Sequence, residues 1–159
     1  MPDFTIRKYD SNDLDQVINL IRLNTPEFFS AKEEPDLFNY LQNETDNYFI
    51  VETAGKITGS GGFNFRHSPT VAVIAWDIIH PEFHGTGQGS ALVLHRLKLI
   101  RGLPEVKEVC VRTSQLAYRF YEKSGFVLRE VIKNYWDEGF DLYRMDAKLN
   151  ELNFMLKGS

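Results

Sequence analysis

The stretch TVAVIAWDIIHPEFHGTGQGSALVLHRLKLIR, residues 70–101, constrains the fold of this chain more than any other. Residues 70–79 are rich in β-branched and apolar side chains, which is typical of a largely buried strand. From about residue 87 onward, apolar residues recur at helical spacing. Between strand and helix lie one proline and three glycines, Pro81, Gly85, Gly87 and Gly89. A buried strand that turns through glycines directly into a helix indicates a mixed α/β fold.

The rest of the chain also divides into strand and helix patterns. β-Rich runs predict strands at 4–10, 48–53, 56–65 and 106–113, and two more on either side of 137–139. Helical spacing predicts helices at 12–24, 34–44 and 115–124. The order β-α-α-β-β-β-α-β-α-β-β predicts an α/β (α+β) fold, with parallel pairing in the second half and antiparallel pairing elsewhere. Because the chain has 159 residues, 43% of them hydrophobic, we expect one domain over 1–159.

Composition argues against several classes of protein. The net charge of −4 is not that of a nucleic-acid binder. No apolar run reaches the roughly 18 residues of a membrane span, and the start MPDFTIRKYDSND lacks a signal-peptide pattern. The single cysteine, Cys110, excludes an intrachain disulfide, and the four histidines have no metal-ligand spacing. We therefore expect a soluble, cytoplasmic protein with no metal and no nucleic-acid or membrane partner.

The glycine-rich turn has the geometry of an anion site, because free amides at a helix N-terminus point at a negative ligand. A P-loop is excluded, since Gly89 is followed by Ser90-Ala91 rather than by Lys and Ser or Thr. The dinucleotide fingerprint also fails, because the sixth position counted from Gly85 is Ser90. A third pattern, [Arg/Gln]-x-x-Gly-x-[Gly/Ala], fits residues 84–89 at every position except the first, which is His84.

With this loop in IIHPEFHGTGQGSALV and a second segment, LAYRFYEKSGF at 116–126, the chain resembles the GNAT superfamily of acyl-CoA-dependent N-acetyltransferases. The resemblance implies a mixed, mostly antiparallel central sheet of six to seven strands flanked by about four helices. It also implies an enzyme that transfers an acetyl group from acetyl-CoA to a primary amine by direct attack, as a monomer or homodimer. The alternative is a non-catalytic acyl-CoA-binding module with the same fold.

The resemblance implies a set of residues for acetyl-CoA. Backbone amides around the turn would hold the pyrophosphate, namely those of Gly85, Thr86, Gly87, Gln88, Gly89 and Ser90. The pantetheine arm would follow the backbone at Ile78 and Ile79. Two positions depart from the family pattern: His84 stands where Arg or Gln is usual, and Ser114 where Asn is frequent. Both are retained as candidate contacts, together with Tyr121.

Two residues are candidates for proton transfer. Tyr121 matches the family's acid to the leaving thiolate, and a phenol with a pKa of about 10 is protonated at neutral pH. Asp77 lies within an apolar strand, where burial would raise the pKa of its carboxyl and make it a candidate base. A bound water, His80 or His84 could serve as the base instead. Asp77 could also be structural, bound to backbone amides or to a cation.

The acceptor is expected to meet the two variable segments, 24–38 and 133–141. Their aromatic side chains could form walls, namely those of Phe28, Phe29, Tyr135 and Trp136. The same segments carry six acids, Glu27, Glu33, Glu34, Asp137, Glu138 and Asp141, which could attract an ammonium group. The composition favours a cationic acceptor, either a small-molecule amine or a peptide or protein amine.

Overall fold

The computed structural model describes residues 3–154. Its strands are β1 (Phe4–Lys8), β2 (Tyr48–Thr53), β3 (Lys56–Phe65), β4 (Val71–Ile79), β5 (Glu108–Thr113), β6 (Val127–Asp137) and β7 (Phe140–Lys148). Its α-helices are α1 (Leu14–Leu23), α2 (Glu34–Asn43), α3 (Gln88–Arg101) and α4 (Tyr118–Glu122). Within the described residues, the strands form one seven-stranded sheet in the order β1-β2-β3-β4-β5-β7-β6.

The predicted fold class is confirmed. β4 and β5 pair in parallel, whereas β1–β2, β2–β3, β5–β7 and β6–β7 pair antiparallel. The predicted element order is observed, and most boundaries agree to within about two residues. The exception is α4, which is much shorter than the predicted 115–124. The amides of Ala117 and Tyr118 both donate to the Ser114 carbonyl, so residues before Tyr118 form a turn.

The described chain divides into two compact units, so the prediction of a single domain stays a prediction. The first unit comprises residues 3–62 and 76–96. Its helix α1 buries the stripe Val17, Ile18, Leu20 and Ile21, as an amphipathic helix does against a core. The strand β2 is buried along Tyr48–Val51. The predicted turn between β2 and β3 is confirmed, with positive φ at Ala54 (52°) and Gly55 (79°).

The second unit comprises residues 63–75 and 97–154. Buried residues of β5 and β7 supply its core, namely Val109 and Val111 on β5 and Leu142, Met145 and Ala147 on β7. The edge strand β6 is largely exposed, including Val127, Val131 and Ile132. None of the helices in residues 3–154 is both long and apolar enough to cross a membrane.

Candidate active site

The glycine-rich turn adopts a conformation that explains two of its glycines. Gly85 has φ +75° and Gly87 has φ +91°, a region that residues with a Cβ rarely adopt. A Cβ at either position would meet nothing within 4 Å, so both positions face open space. The helix α3 begins at Gln88. The first amide of α3 that bonds back to the loop is Ala91 N–H, to the Gly87 carbonyl at 3.0 Å.

These features fit the diphosphate of acetyl-CoA. Amides in the first turn of α3 have no carbonyl four residues earlier within the helix, so they can donate to an anion. The helix is 14 residues long, which gives its N-terminus a full dipole. Open space beside Gly85 and Gly87 lets a phosphate approach the backbone closely. The predicted set from Gly85 to Ser90 is one continuous segment of backbone, in which the Thr86 amide already donates to the Phe83 carbonyl at 3.3 Å. The contacts of this segment with acetyl-CoA stay predictions.

The His84 side chain is hydrogen-bonded within the first unit. Its Nε2 lies 2.8 Å from the Ile79 carbonyl oxygen, and because a carbonyl only accepts, Nε2 carries the proton. Asn24 Nδ2 donates to the same oxygen at 3.0 Å, which fills both lone pairs. Any bond from Ile79 to a pantetheine arm must therefore use its N–H. Contacts of His84 and Ile78 with acetyl-CoA stay predictions.

Asp77, the candidate base on β4, is paired with a buried cation. Its Oδ1 accepts a short hydrogen bond from Nη1 of Arg96, which is fully buried, while the Asp77 side chain is 15% exposed. Arg96 Nη1 also donates to the Gly62 carbonyl at 2.9 Å, and Nε donates to the Leu92 carbonyl at 3.1 Å. A buried guanidinium therefore accompanies the carboxylate, which is the arrangement expected of a structural Asp bound to a cation. The role of Asp77 as the base stays a prediction.

Sequence reasoning missed Arg96, although a signal was present. Arg96 lies four residues after Leu92 and four before Ile100, both fully buried, so an arginine occupies an apolar row of α3. The adjacent strand makes room for it, because a Cβ on Gly61 would lie 3.1 Å from Arg96 Nη1 and closer still to Asp77 Oδ1. A charged residue in an apolar row of a helix indicates a buried partner of opposite charge.

The two predicted wall residues of the first unit, Phe28 and Phe29, contact other rings, one of which is Trp76, a residue that sequence reasoning missed. The Phe29 and Trp76 rings stack with centroids 6.5 Å apart, and Phe28 meets the His84 ring edge-on at 5.1 Å. Trp76 has φ +54°, which is rare for a bulky residue, and its carbonyl accepts from the Tyr48 hydroxyl at 3.0 Å. The 24–30 segment is thereby fixed to the residues that flank Asp77 and the loop.

Tyr121 and Ser114 lie in the second unit. Tyr121 is 5% exposed and packs edge-on against Phe120 and Phe126, with centroids 5.0 and 6.0 Å away. The Ser114 hydroxyl accepts from Leu116 N–H at 3.2 Å. This bond and the short α4 place Ser114 at the turn that precedes Tyr121. Its contact with acetyl-CoA, and the role of Tyr121 as the acid, stay predictions.

The predicted acceptor residues Tyr135 and Trp136 do come together, around a cation. Their rings meet edge-on at 5.0 Å, and the Arg112 guanidinium lies 5.1 Å from the first ring centroid and 5.6 Å from the second. Arg112 Nη2 donates to the Tyr135 hydroxyl at 2.7 Å, and Trp136 Nε1 donates to the Thr113 carbonyl at 3.1 Å. An acceptor ammonium at this pair would therefore meet a like charge.

Several of the acids expected to attract an ammonium are engaged within the fold. Glu33 caps the Ser30 amide, and Glu34 forms two hydrogen bonds with Arg22. Asp137 and Asp141 accept backbone amides in the β6–β7 turn. Asp137, Asp141 and Glu33 thus have structural roles, which weakens the charge argument for a cationic acceptor.

The described residues contain no cluster of three or more His, Cys, Asp or Glu side chains placed to hold a metal ion. Cys110, on β5, is partly buried, and this burial raises the pKa of its thiol. A thiol of raised pKa is a poor nucleophile at neutral pH, so Cys110 behaves as a packing residue.

Residues 14–126 match the sequence profile of the Acetyltransferase (GNAT) family. This span covers more than half of the chain and includes the loop, Asp77 and Tyr121. The protein belongs to the GNAT acetyltransferase family. It is an N-acetyltransferase that uses acetyl-CoA as the acetyl donor.

Individual relatives agree with this assignment. The chain is 28% identical to an N-alpha-acetyltransferase of Sulfurisphaera tokodaii, over 92% of this chain and 94% of the relative. The crystal structure of Ard1 from Thermoplasma volcanium superposes with a TM-score of 0.77 at 24% identity, covering 91% of this chain and 97% of Ard1. An aminoglycoside 6'-N-acetyltransferase solved with coenzyme A gives a TM-score of 0.74 at 16% identity, over 91% of this chain and 97% of that one. The solved structures establish the likeness of fold.

Proposed function

We propose that this enzyme acetylates the α-amino group at the N-terminus of a peptide or protein. The observation that carries the proposal is the extent of the match to the N-alpha-acetyltransferases, which covers 92% of this chain and 94% of the relative. By contrast, the match to an amino-acid acetyltransferase of Actinobacillus pleuropneumoniae covers 77% of this chain but only 27% of that protein. A free amino acid is therefore the second candidate acceptor.

The reaction forms a C–N bond and an S–H bond and breaks a C–S bond and an N–H bond. The amine nitrogen attacks the thioester carbonyl carbon, the C–S bond breaks, the amine loses a proton and the thiolate gains one. Tyr121 supplies the proton to the thiolate, because its segment matches the family motif and a phenol is protonated at neutral pH. The loop amides and the α3 dipole bind the donor through its phosphates.

The proton of the amine goes to a water or to Asp77. The structure favours the water, because Oδ1 of Asp77 already accepts from Arg96 and protonating it would break a buried ion pair. Asp77 then acts by holding Arg96 and the end of β4 in place.

Two variants distinguish Asp77 as the base from Asp77 as a structural residue. If Asp77 is the base, Asp77→Asn and the double variant Asp77→Asn with Arg96→Gln both lose at least 100-fold in kcat. If it is structural, the double variant regains most of the kcat.

The acceptor is tested with purified enzyme, acetyl-CoA and a matched set of amines. One peptide has a free N-terminus and no lysine, its partner has a blocked N-terminus and one lysine, and free glutamate stands for the amino-acid acceptors. We expect kcat/KM at least tenfold higher for the first peptide, measured by thiol release and by peptide mass. A higher kcat/KM for glutamate or for the blocked peptide would overturn the proposal. Coenzyme A binding without turnover on any amine would support the non-catalytic alternative.

Tyr121→Phe tests the acid. Removing the hydroxyl should lower kcat by roughly 100-fold at a nearly unchanged KM, because general acid catalysis contributes on that scale and the ring still packs. An unchanged kcat would assign the proton to another group.

A further inference from the structure

Gln88, the first residue of α3, has a buried side chain, although glutamine is mostly exposed in proteins. It is 2% exposed, and both halves of its carboxamide are bonded. Oε1 accepts from the Thr58 hydroxyl at 2.8 Å, and Nε2 donates to Thr53 Oγ1 at 2.9 Å. The two threonine hydroxyls lie 2.8 Å apart, and each is 3% exposed.

These three bonds close a ring, hereafter the Gln88 ring, of Thr53, Thr58 and Gln88. The Thr58 hydroxyl donates to Gln88 Oε1, and Gln88 Nε2 donates to Thr53 Oγ1. The Thr53 hydroxyl can therefore donate its own proton to Thr58 Oγ1. Each member then donates once and accepts once within the ring. A buried polar group that loses its partner is costly, so the ring holds as a unit.

The Gln88 ring fixes the start of α3 to the β2–β3 hairpin. Thr53 ends β2, and Thr58 lies on β3 just after the turn. At the other end of the glycine-rich turn, His84 donates to the Ile79 carbonyl at 2.8 Å. Both anchors are side-chain bonds, so neither uses a loop amide. Gly85 and Gly87 lie between the two anchors, where the amides that face a diphosphate are concentrated.

We infer that Gln88 is a positioning residue for the diphosphate of acetyl-CoA, acting through Thr53 and Thr58. This inference rests on acetyl-CoA being the donor. The ring sets the direction of the first-turn amides before the ligand arrives, so less order has to be imposed on binding. Gln88 thus contributes its backbone amide to the ligand and its side chain to the loop's placement.

Two variants break the ring. Gln88→Leu keeps a similar volume without hydrogen-bonding groups, and Thr58→Val replaces one hydroxyl by a methyl. We expect each to raise the calorimetric Kd of coenzyme A and the KM of acetyl-CoA by about tenfold, with kcat changed by less than about threefold. S-acetylpantetheine, which lacks the diphosphate, should show an unchanged KM. Thr58→Ser, which keeps the hydroxyl, should restore most of the affinity.

Thr25→Val is the matched control. It removes a hydroxyl that donates to the Ile21 carbonyl at 2.7 Å in the same unit, outside the ring. We expect it to lower the melting temperature without changing the Kd of coenzyme A. The inference is overturned if the ring variants bind coenzyme A as tightly as wild type. It is also overturned if their KM rises equally for acetyl-CoA and for S-acetylpantetheine. If Gln88→Leu does not fold, Thr58→Val decides alone. If wild type binds no coenzyme A, the donor assignment fails as well, which separates the two failures.

Discussion

Two glycine-rich segments of the first unit use the same residue for opposite reasons. In GSGG, residues 59–62 of β3, the glycines lack space: a Cβ on Gly59 would lie 2.7 Å from Ile79 Cδ1, and one on Gly61 would meet Asp77, Arg96 and Leu92. In GTGQG, residues 85–89, Gly85 and Gly87 have open space but require positive φ. The strand glycines make room for protein, whereas the loop glycines provide a backbone shape and leave room for a ligand.

Because of this difference, substitutions in the two segments should affect different properties, namely stability in one case and ligand binding in the other. A substitution in the strand segment should act on folding through steric overlap and through the buried ion pair. A substitution in the loop should cost less stability but alter the amides that are predicted to face the donor. The following substitutions test this separation, from the largest expected effect to the smallest.

Gly61→Ala should have the largest effect. Its Cβ would collide with Asp77 Oδ1 and lie 3.1 Å from both Arg96 Nη1 and Leu92 Cδ2. Displacing one partner of a buried ion pair should lower the free energy of unfolding by about 3 kcal/mol or more. Urea denaturation measures the loss. A loss below about 1 kcal/mol would mean that the ion pair can shift freely.

Gly59→Ala should have an intermediate effect, because its closest neighbour is the tip of a side chain. Ile79 Cδ1 would lie 2.7 Å from the new Cβ and Val51 Cγ2 3.2 Å away. We expect a loss of about 1–2 kcal/mol. Ile79→Val lacks the clashing methyl, so the double variant should lose less than the sum of the single variants in a denaturation cycle. Strict additivity would contradict the steric explanation.

Gly85→Ala should cost about 1 kcal/mol of stability, because a Cβ disfavours φ +75°. It should also weaken coenzyme A binding by about tenfold or more, measured by calorimetry. Gly55→Ala is its matched control, since Gly55 has φ +79° and likewise nothing within 4 Å. The control should lose similar stability and no affinity. Equal affinity losses in both variants would remove the distinction between the loop and an ordinary turn.

His84→Arg should have the smallest effect. The loop is expected to act through its backbone, and arginine keeps a donor while adding a fixed charge. The bond to the Ile79 carbonyl that it disturbs is exposed, so the stability change should stay within about 1 kcal/mol. Coenzyme A affinity should be preserved or increased. A large loss of affinity would show that the imidazole itself is required.

The sequence was sufficient for features that depend on neighbours along the chain. The passage from β4 through glycines into α3, the Ala54-Gly55 turn and the element order all follow from local pattern. Local pattern could not supply the partner of Asp77, because Arg96 lies 19 positions away and only the fold brings their side chains together. The need for a glycine at position 61 follows from the same Asp77–Arg96 pair, which occupies the space that a Cβ would take.

The site was predictable to a similar extent. The loop residues could be predicted because their spacing carries the signal, and their contacts with the donor stay predictions. The role inferred for the Gln88 side chain depends on Thr53 and Thr58, 35 and 30 positions away. The acidic segments were ambiguous for a physical reason. A carboxylate that accepts from an amide, as Asp141 does from Asn134, looks the same in the sequence as one that faces solvent.

The edge strand β6 bears on the solubility of the protein. An unpaired strand edge offers its amides and carbonyls to other chains, and β6 is 11 residues long with Val131 and Ile132 exposed. Charged side chains are interspersed along it, and ion pairs with β7 hold two of them, Arg129 with Asp146 and Glu130 with Arg144. These charges discourage a second strand from docking. Salt that screens them removes part of this protection, so concentrated stocks should remain dispersed longest in buffers of low ionic strength.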